Sequence, residues 1–137
     1  MIAGKPPPIE GDEYTLPASG MSVSSYYAKV LAGLAKERGF DGWLLNIEID
    51  MAEGPSAARG LAAWLTVFRK EIVKAVGEHG KVLMYDSVIT RGNLVWQERV
   101  NSRNLPFFLS SDGLFTNYEV SFASVLPVNG VGSDPEI

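Results

Sequence analysis

The stretch that decides the fold is Phe40-Asp41-Gly42-Trp43-Leu44-Leu45-Asn46-Ile47-Glu48-Ile49-Asp50. Its apolar residues run up to a polar end, which predicts a buried strand whose carboxyl end opens onto a site. Alternate residues of a strand share a face, so Asn46 and Glu48 are predicted to point the same way, with Cβ atoms roughly 7 Å apart. Between apolar neighbours, a buried Glu48 would be kept protonated by desolvation and could donate a proton to a leaving group.

Amphipathic helices are predicted on both sides of this strand. The first has Ser22 as its N-cap and stops at Gly39, and its apolar residues fall at the i, i+3, i+4, i+7 spacing of one buried face. That face consists of Val23, Tyr26, Tyr27, Val30, Leu31, Leu34 and Ala35. The second helix opens at Pro55 or Ser56 and ends before Gly77. Its apolar face consists of Leu61, Trp64, Leu65, Phe68 and Ile72.

Two further strands are predicted after the second helix. Residues 82–85 are a short apolar run that ends in Asp86-Ser87, and residues 114–118 repeat the same design. A shorter helix is predicted between them, at residues 94–100. Strand, helix, strand, helix, strand, with polar residues at each carboxyl end, predicts an α/β fold of consecutive parallel βαβ units whose sites lie at that end of the sheet.

The composition argues against several kinds of partner. The chain of 137 residues is 46% hydrophobic and 20% charged, which fits one globular domain with a core. Its net charge of −4 argues against nucleic acid and anionic membranes, because both select basic surfaces. The chain has no Cys, and the lone His79 lies in a Gly-flanked turn, so no metal site is expected. Without a signal sequence or a long apolar span, a cytoplasmic location is expected.

Four motifs give the chain a family resemblance. They are Asp41-Gly42-Trp43-Leu44-Leu45-Asn46-Ile47-Glu48, Tyr85-Asp86-Ser87-Val88, Trp96-Gln97 and Asp112-Gly113-Leu114-Phe115-Thr116-Asn117-Tyr118. From residue 26 to residue 118 the chain resembles the endo-β-N-acetylglucosaminidases of glycoside hydrolase family 85. The resemblance implies retaining hydrolysis of the β-1,4 bond between the two core N-acetylglucosamines of an N-linked glycan or glycoprotein, with transglycosylation as a second outcome and no cofactor. The substrate's own 2-acetamido oxygen would be the nucleophile and would form an oxazoline.

The resemblance also implies roles for individual residues. Asn46 would orient the acetamide, and Glu48 would act first as the acid and then as the base. Tyr85 would hold the acetamide or the oxazoline through its hydroxyl, with a core tyrosine whose hydroxyl is satisfied as an equal alternative. Trp96 would contact the substrate, or else it packs within its predicted helix. The other lining residues that the resemblance implies are Asp86, Phe115 and Asn117.

Two alternatives remain open on the sequence. Chitinase-type glycosidases of family 18 carry Asp-Gly-x-Asp-x-Asp-x-Glu on a strand, and residues 41–48 fit this frame with Asn46 in place of the assisting Asp. The motifs at Tyr85, Trp96 and Asn117 favour family 85 over that family. The second alternative is a truncated product that is inactive or only binds glycans, and a turnover assay separates it from an enzyme.

The family fold is a (β/α)8 TIM barrel, and three of its strands are predicted here. A complete barrel needs eight strands and about 250 residues, so residues 22–120 are predicted to form the central part of such a barrel. Residues 1–21, which are rich in Pro, are predicted to be an irregular lead-in, and residues 121–137 a divergent, flexible tail. The side chains predicted to face the barrel interior are Leu44, Leu45, Val82, Leu83 and Leu114.

Overall fold

The computed structural model describes residues 13–15 and 22–117, which form two small β-sheets and three α-helices. In chain order the elements are β1 (Glu13–Thr15), β2 (Ser22–Ser24), α1 (Tyr26–Arg38), β3 (Gly42–Leu45), α2 (Pro55–Val76), β4 (Lys81–Tyr85), α3 (Leu105–Ser110) and β5 (Gly113–Phe115). None of the helices in these ranges is both long enough and apolar enough to cross a membrane.

The larger sheet contains three parallel strands in the order β3-β4-β5. Leu44 pairs with Leu83, and Leu83 pairs with Gly113, so the three strands are aligned side by side. Because α2 connects β3 to β4 and α3 connects β4 to β5, the chain forms two consecutive βαβ units. The predicted α/β fold with parallel strands is therefore confirmed, and the described residues form a sheet of three parallel strands, whereas a complete TIM barrel has eight.

The two faces of this sheet differ in burial. Val82 and Met84 of β4 are fully buried, and they lie in the same apolar core as the buried side chains of the helices. Leu83 and Tyr85 alternate with them and point to the opposite face, where they are partly exposed. Leu44 shares that face through its pairing with Leu83, and it is 47% exposed. The helices therefore cover one face of the sheet, and the other face is more open among the described residues.

Three of the side chains predicted to face the barrel interior face the helices instead. Val82 belongs to the core, and Leu45 and Leu114 pack against that core. These three side chains point to the opposite face of the sheet from Leu44 and Leu83. Since the side chains of a strand alternate with a period of two, adjacent residues such as Leu44 and Leu45 cannot share one face.

The helix α2 supplies the largest group of buried side chains. Leu65, Phe68 and Ile72 are fully buried, and the burial of each is worth about 1.5–3 kcal/mol relative to exposure. The other two members of the predicted apolar face, Leu61 and Trp64, are partly buried against the same core. Both the bounds and the buried face of α2 agree with the prediction.

The helix α1 begins later than predicted. Val23 lies in β2, and Ser25 rather than Ser22 is the residue that precedes the helix. The helix stops at Gly39 as predicted, and the φ of 73° at this position lies in the left-handed region that glycine adopts at low cost. Tyr26 and Tyr27, predicted to be core residues, are partly buried, and their rings meet edge to face at 5.1 Å.

The buried face of α1 is a stripe of alanines. Ala28, Ala32 and Ala35 are at most 2% exposed, whereas Val30 and Leu34, which were predicted to be buried, are 48% and 37% exposed. Small side chains allow α1 and α2 to pack closely, because the distance between helix axes depends on the side chains at the contact. The prediction is right at Ala35 and at Leu31, which packs against the core, and wrong at Val30 and Leu34, because the pattern gave weight to large apolar residues whereas the close contact with α2 selects small ones.

The helix predicted at residues 94–100 is not formed. This segment is a loop that makes one isolated bridge, between Val88 and Leu94, and the next helix is α3. Glu98 has a φ of 59°, in the left-handed region that interrupts an α-helix, and its N–H donates to the side chain of Asp86. A tertiary hydrogen bond that no local pattern encodes therefore replaces the predicted helical turn.

The predicted irregular lead-in is wrong at residues 13–15. These residues form β1, which pairs antiparallel with β2 so that Tyr14 lies opposite Val23. The remainder of residues 1–21 and the predicted tail of residues 121–137 lie outside the described residues. The strand predicted at residues 114–118 is β5, which ends at Phe115, and Thr116 and Asn117 continue without strand structure.

The amino end of the sheet is fastened by Asp112. Its Oδ2 accepts a hydrogen bond of 2.8 Å from the Val82 N–H, and its Oδ1 accepts one of 2.9 Å from the Arg69 guanidinium. One carboxylate thus connects α2, β4 and the start of β5. Although Asp112 belongs to one of the family motifs, its contacts lie at the end of the sheet opposite to the polar strand ends.

Candidate active site

The polar residues that follow the three parallel strands lie at one edge of the sheet. Leu45 pairs with Met84, and Met84 pairs with Leu114. The next residue along each chain segment is therefore Asn46, Tyr85 or Phe115, so these three residues lie at the same level, where the strands end. Since parallel strands place their carboxyl ends together, this edge is where an α/β sheet carries a site.

Tyr85 and Asn117 make direct contact at this edge. The Tyr85 hydroxyl donates a hydrogen bond of 3.1 Å to Oδ1 of Asn117. The Tyr85 ring also lies 6.4 Å from the ring of Phe115, its register partner on β5, in a tilted arrangement. Three of the residues predicted from the motifs are thus brought together, with an aromatic surface and a fixed phenol next to one another.

Asn46 and Glu48 lie beyond the end of β3, which stops at Leu45. Both are exposed, so the prediction that Glu48 is buried is wrong for the described residues. None of its described neighbours encloses the carboxyl group. The alternation of Ile47 and Ile49 with polar residues resembled a strand, but Ile49 is 68% exposed in the loop.

The loop that carries Asn46 and Glu48 is tied to the loop that follows β4. Oδ1 of Asp50 accepts a hydrogen bond of 2.6 Å from the Leu94 N–H, and the Met51 N–H donates to the Gly92 carbonyl at 2.7 Å. Gly54 and Gly92 pass so close that a Cβ on Gly92 would lie 2.6 Å from the Gly54 carbonyl oxygen. These contacts fix where the chain leaves the Asn46–Asp50 segment.

Asp86, predicted to line the site, is buried and 1% exposed. Its Oδ2 accepts hydrogen bonds from the N–H groups of Gln97 and Glu98, and its Oδ1 accepts one of 3.1 Å from Nδ2 of Asn104. Both oxygens of this carboxyl group are thus occupied by protein donors. Asp86 therefore holds the loop that carries Trp96 and does not point into an open site.

Trp96 lies in this loop and is 43% exposed. Its backbone is held on both sides, because the Val95 N–H donates to the Ser87 carbonyl at 2.8 Å and the Gln97 N–H donates to Asp86 at 2.9 Å. The packing of Trp96 inside a helix, which the sequence left open as an alternative, does not occur. An indole with a free surface remains at the carboxyl end of β4, where a sugar ring could stack on it.

Sequence reasoning missed Asn104, which is buried and 1% exposed. Its Oδ1 accepts from the Asn101 N–H at 2.8 Å, and its Nδ2 donates to the Arg99 carbonyl as well as to Asp86. A local signal was present, because an Asn followed by Leu105 and Pro106 is typical of a helix start. The same signal would have placed α3 correctly.

The lone histidine lies away from this edge. His79 Nε2 is 3.2 Å from Oδ1 of Asp41 at the amino end of the sheet, and both side chains are largely exposed. Within residues 13–15 and 22–117, no group of three His, Cys, Asp or Glu side chains is arranged to hold a metal ion. The described edge thus offers acids, amides and aromatic rings for its chemistry.

A surface concavity of about 790 Å³ lies at the opposite end of the sheet. Its lining includes Arg69, Lys74 and Lys81 together with acidic side chains such as Glu78. It lies beside the Asp112 contacts, far along the strands from Tyr85. Sites of parallel α/β sheets lie at the carboxyl ends of the strands, so this concavity is not the candidate active site.

Polar and aromatic side chains at the carboxyl ends of consecutive parallel strands define a site of the kind found in α/β-barrel enzymes. The family model described as Glycosyl hydrolase family 85 matches residues 12–124, which is most of the chain. The chain belongs to glycosyl hydrolase family 85. This match decides against family 18, the other glycosidase family considered for the frame at residues 41–48.

Curated relatives of the chain carry one enzyme name. Cytosolic endo-beta-N-acetylglucosaminidase 1 of Arabidopsis thaliana is 42% identical over 97 residues, which cover 67% of this chain and 13% of that protein. Cytosolic endo-beta-N-acetylglucosaminidase of Gallus gallus is 42% identical over 101 residues, 74% of this chain and 14% of that protein. The Homo sapiens protein of the same name is 42% identical over 79 residues, 58% of this chain and 10% of that protein. The chain spans about a seventh or less of the length of these relatives.

Proposed function

We propose that this chain carries the acid and the acetamide-binding residues of an endo-β-N-acetylglucosaminidase. The proposed reaction is hydrolysis of the β-1,4 bond between the two core N-acetylglucosamines of N-linked glycans, with retention of configuration. The observation that supports it best is the shared level of Asn46, Tyr85 and Phe115 at the ends of three aligned parallel strands. The membership in family 85 and the names of the relatives support the same reaction.

The proposed mechanism uses the substrate's own acetamide as the nucleophile. Its carbonyl oxygen attacks C1 of the sugar as the glycosidic bond breaks, and Glu48 gives its proton to the departing oxygen. This produces a Glu48 carboxylate and an oxazoline that is still protonated on its nitrogen, an oxazolinium ion. A water then attacks C1 from the opposite side, gives its proton back to Glu48 and opens the oxazolinium ring to a neutral acetamide, and a sugar hydroxyl in place of the water gives transglycosylation.

Four other side chains support this scheme by holding groups in place. Asn46 would accept the acetamide N–H through its amide oxygen, which makes the acetamide carbonyl a better nucleophile. Tyr85 would hold the acetamide or the oxazoline, and its bond of 3.1 Å to Asn117 fixes the direction of its hydroxyl. Phe115 and Trp96 offer partly exposed aromatic faces to the apolar faces of the sugars. The scheme employs no cofactor.

The proposed partner is an N-linked glycan or glycoprotein, and the proposed location is the cytoplasm. The relatives are named cytosolic, which supports the location. The net charge of −4 supports a substrate that is neither a nucleic acid nor an anionic lipid. A neutral glycan needs hydrogen bonds and aromatic surfaces, which the carboxyl edge of the sheet provides.

The test places this segment in a complete barrel. In a chimera, residues 22–117 replace the matching segment of the Gallus gallus relative, to which the chain is 42% identical. We expect the chimera to release glycan from a high-mannose glycopeptide, and Glu48→Gln to lower the rate by about 10²–10⁴, because an amide cannot protonate the leaving oxygen. Glu53→Gln, at an exposed acid of the following turn, is the matched control and should keep full activity. A Glu48→Gln rate within tenfold of the parent would contradict the proposal.

A second candidate function is glycan binding without turnover. The observation in its favour is the exposure of both Asn46 and Glu48 in the described residues. A chimera that binds the glycopeptide but releases no glycan, with or without Glu48→Gln, would support binding. Release that depends on Glu48 would exclude it.

A further inference from the structure

We infer that Asp86 is a positioning residue that sets the conformation of the loop at residues 95–99 and thereby the place of the Trp96 indole. The inference rests on the proposed function only where it concerns the sugar that Trp96 contacts. The Asp86 carboxyl group is buried, and the hydrogen bonds that it accepts come from Gln97 and Glu98 of this loop and from the nearby Asn104.

The Asp86 carboxyl group accepts hydrogen bonds from three donors. Two successive backbone N–H groups, those of Gln97 and Glu98, point at Oδ2, while the Asn104 amide points at Oδ1. An acidic side chain that accepts several hydrogen bonds away from water binds its donors more strongly than a neutral acceptor does. A buried N–H that loses its acceptor is costly, so the loop is constrained to this arrangement.

These hydrogen bonds maintain an uncommon backbone conformation at Glu98. Glu98 has a φ of 59°, which is uncommon for a residue other than glycine. Such conformations persist when the surrounding structure over-determines them, and they cluster at functional sites. The bond from the Glu98 N–H to Asp86 is the contact that fixes this residue, and it lies two residues from Trp96.

Asp86 also connects this loop to the rest of the site, through its neighbours at the end of β4. Asp86 directly follows Tyr85, whose hydroxyl is bonded to Asn117. Ser87, the next residue, accepts the Val95 N–H, so Trp96 is flanked by bonds to two consecutive residues at the end of β4. The end of one strand therefore positions both the phenol and the indole. Movement of Asp86 would alter the spacing between these two sugar-binding groups.

The test observes Trp96 directly in the complete 137-residue chain. Labelling with 5-fluorotryptophan gives one fluorine NMR signal for each of Trp43, Trp64 and Trp96, and Trp96→Phe identifies the signal of Trp96. Trp43, which donates to the Leu31 carbonyl at 2.9 Å, and Trp64, which is partly buried in α2, report on the fold at large. We expect Asp86→Ala and Asp86→Asn to shift or broaden the Trp96 signal and to leave the other two unchanged.

An exchange of the two partners provides the control. In Asp86→Asn alone, the new NH2 group at position 86 faces the NH2 group of Asn104, so two donors meet and no hydrogen bond forms. In the double variant Asp86→Asn with Asn104→Asp, the NH2 group at position 86 faces a carboxylate oxygen at position 104, so a donor again faces an acceptor. The double variant should return the Trp96 signal toward its original position. The recovery should be partial, because an Asp at position 104 cannot donate to the Arg99 carbonyl.

The possible results separate this inference from the proposed function. A Trp96 signal that does not move in Asp86→Ala, equal shifts of all three signals, or no recovery in the double variant would each overturn the positioning role. In the chimera, Asp86→Ala should raise KM about two- to tenfold, the range that one aromatic contact can supply, with a smaller change in kcat. An inactive parent chimera would contradict the proposed function and would leave the NMR result to decide the role of Asp86.

Discussion

The loops that follow β3 and β4 lie at the same edge of the sheet but differ in the burial and the hydrogen bonding of their polar side chains. After β4, Asp86, Ser87 and Asn104 are buried, and no buried side-chain nitrogen or oxygen in the described part of the chain lacks a hydrogen bond. After β3, Asn46 and Glu48 are exposed. Most hydrogen bonds of the loop after β4 lie within residues 85–104. In the loop after β3, Ile47 packs against the core, and the described hydrogen bonds to the other loop begin at Asp50.

A positioning group and a general acid need different surroundings from the chain. A positioning group such as Asp86 needs donors at hydrogen-bonding distance, and a single loop supplies them. Under the proposed function Glu48 would be a general acid, and a general acid needs low-dielectric surroundings that favour its protonated form, which require walls around it. The described helices cover one face of the sheet only, so under the proposed function the surroundings of Glu48 would come from elements beyond residues 22–117.

Of the substitutions in these two loops, Asn46→Ala in the chimera is expected to have the largest effect, and that effect is on hydrolysis. Because Asn46 is exposed, its removal should leave the thermal midpoint unchanged. Hydrolysis of the glycopeptide should fall by about 10²–10³, the usual cost of one group that stabilises a developing charge. A preformed glycan oxazoline has already passed this step and should still be used for transfer. Failure of both substrates together would count against the role in nucleophile activation.

The contact between the two loops predicts an intermediate effect for Gly92→Ala in the 137-residue chain. Gly92 has a φ of 84°, and a Cβ would lie 2.6 Å from the Gly54 carbonyl oxygen. The left-handed conformation alone costs about 1–3 kcal/mol for alanine, and the backbone clash adds to it. Urea unfolding measures the loss.

The matched control for that substitution is Gly33→Ala in the middle of α1. A Cβ there meets nothing within 4 Å, and alanine favours a helix interior over glycine by roughly 0.5–1 kcal/mol. Gly33→Ala should therefore stabilise the chain. If Gly92→Ala were as harmless as Gly33→Ala, the two loops would not be held against each other as described.

The smallest effect is expected for Asp50→Ala, which removes the hydrogen bond of 2.6 Å from the Leu94 N–H. The site is exposed, so water can replace the lost acceptor, and we expect a loss of about 0.5–1.5 kcal/mol in the free energy of unfolding. Asp50→Asn keeps an acceptor oxygen and should lie closer to the parent. Amide hydrogen exchange at Leu94 should become faster in Asp50→Ala alone, and an unchanged rate would disprove this tie between the loops.

The parts of the fold that the sequence predicted correctly are those with strong local patterns. The helix α2 has a long apolar stripe ending at Gly77, and β4 is a short apolar run between polar residues, so both were predicted near their observed bounds. The juxtaposition of Tyr85, Phe115 and Asn117 was predictable because parallel strands bring their carboxyl ends together.

The errors arose where a distant contact decides the local structure. The alanine face of α1 depends on how closely α2 approaches, and the loop at residues 94–100 depends on bonds to Asp86. Neither contact is visible in a local period of apolar residues. The expected burial of Glu48 failed for the same reason, because the apolar neighbours in its sequence do not enclose it in space.

The claim that Glu48 depends on walls from other elements is tested by comparing glycan release from a high-mannose glycopeptide by the isolated 137-residue chain and by the chimera. Analytical ultracentrifugation of the isolated chain accompanies this assay. Leu44 and Phe115 are exposed on the open face of the sheet, and Glu48 is exposed at its edge. We therefore expect the isolated chain to release no glycan and to sediment as folded species that associate, while the chimera releases glycan. A compact monomer of the isolated chain that releases glycan through Glu48 would contradict the claim that this acid depends on walls from other elements.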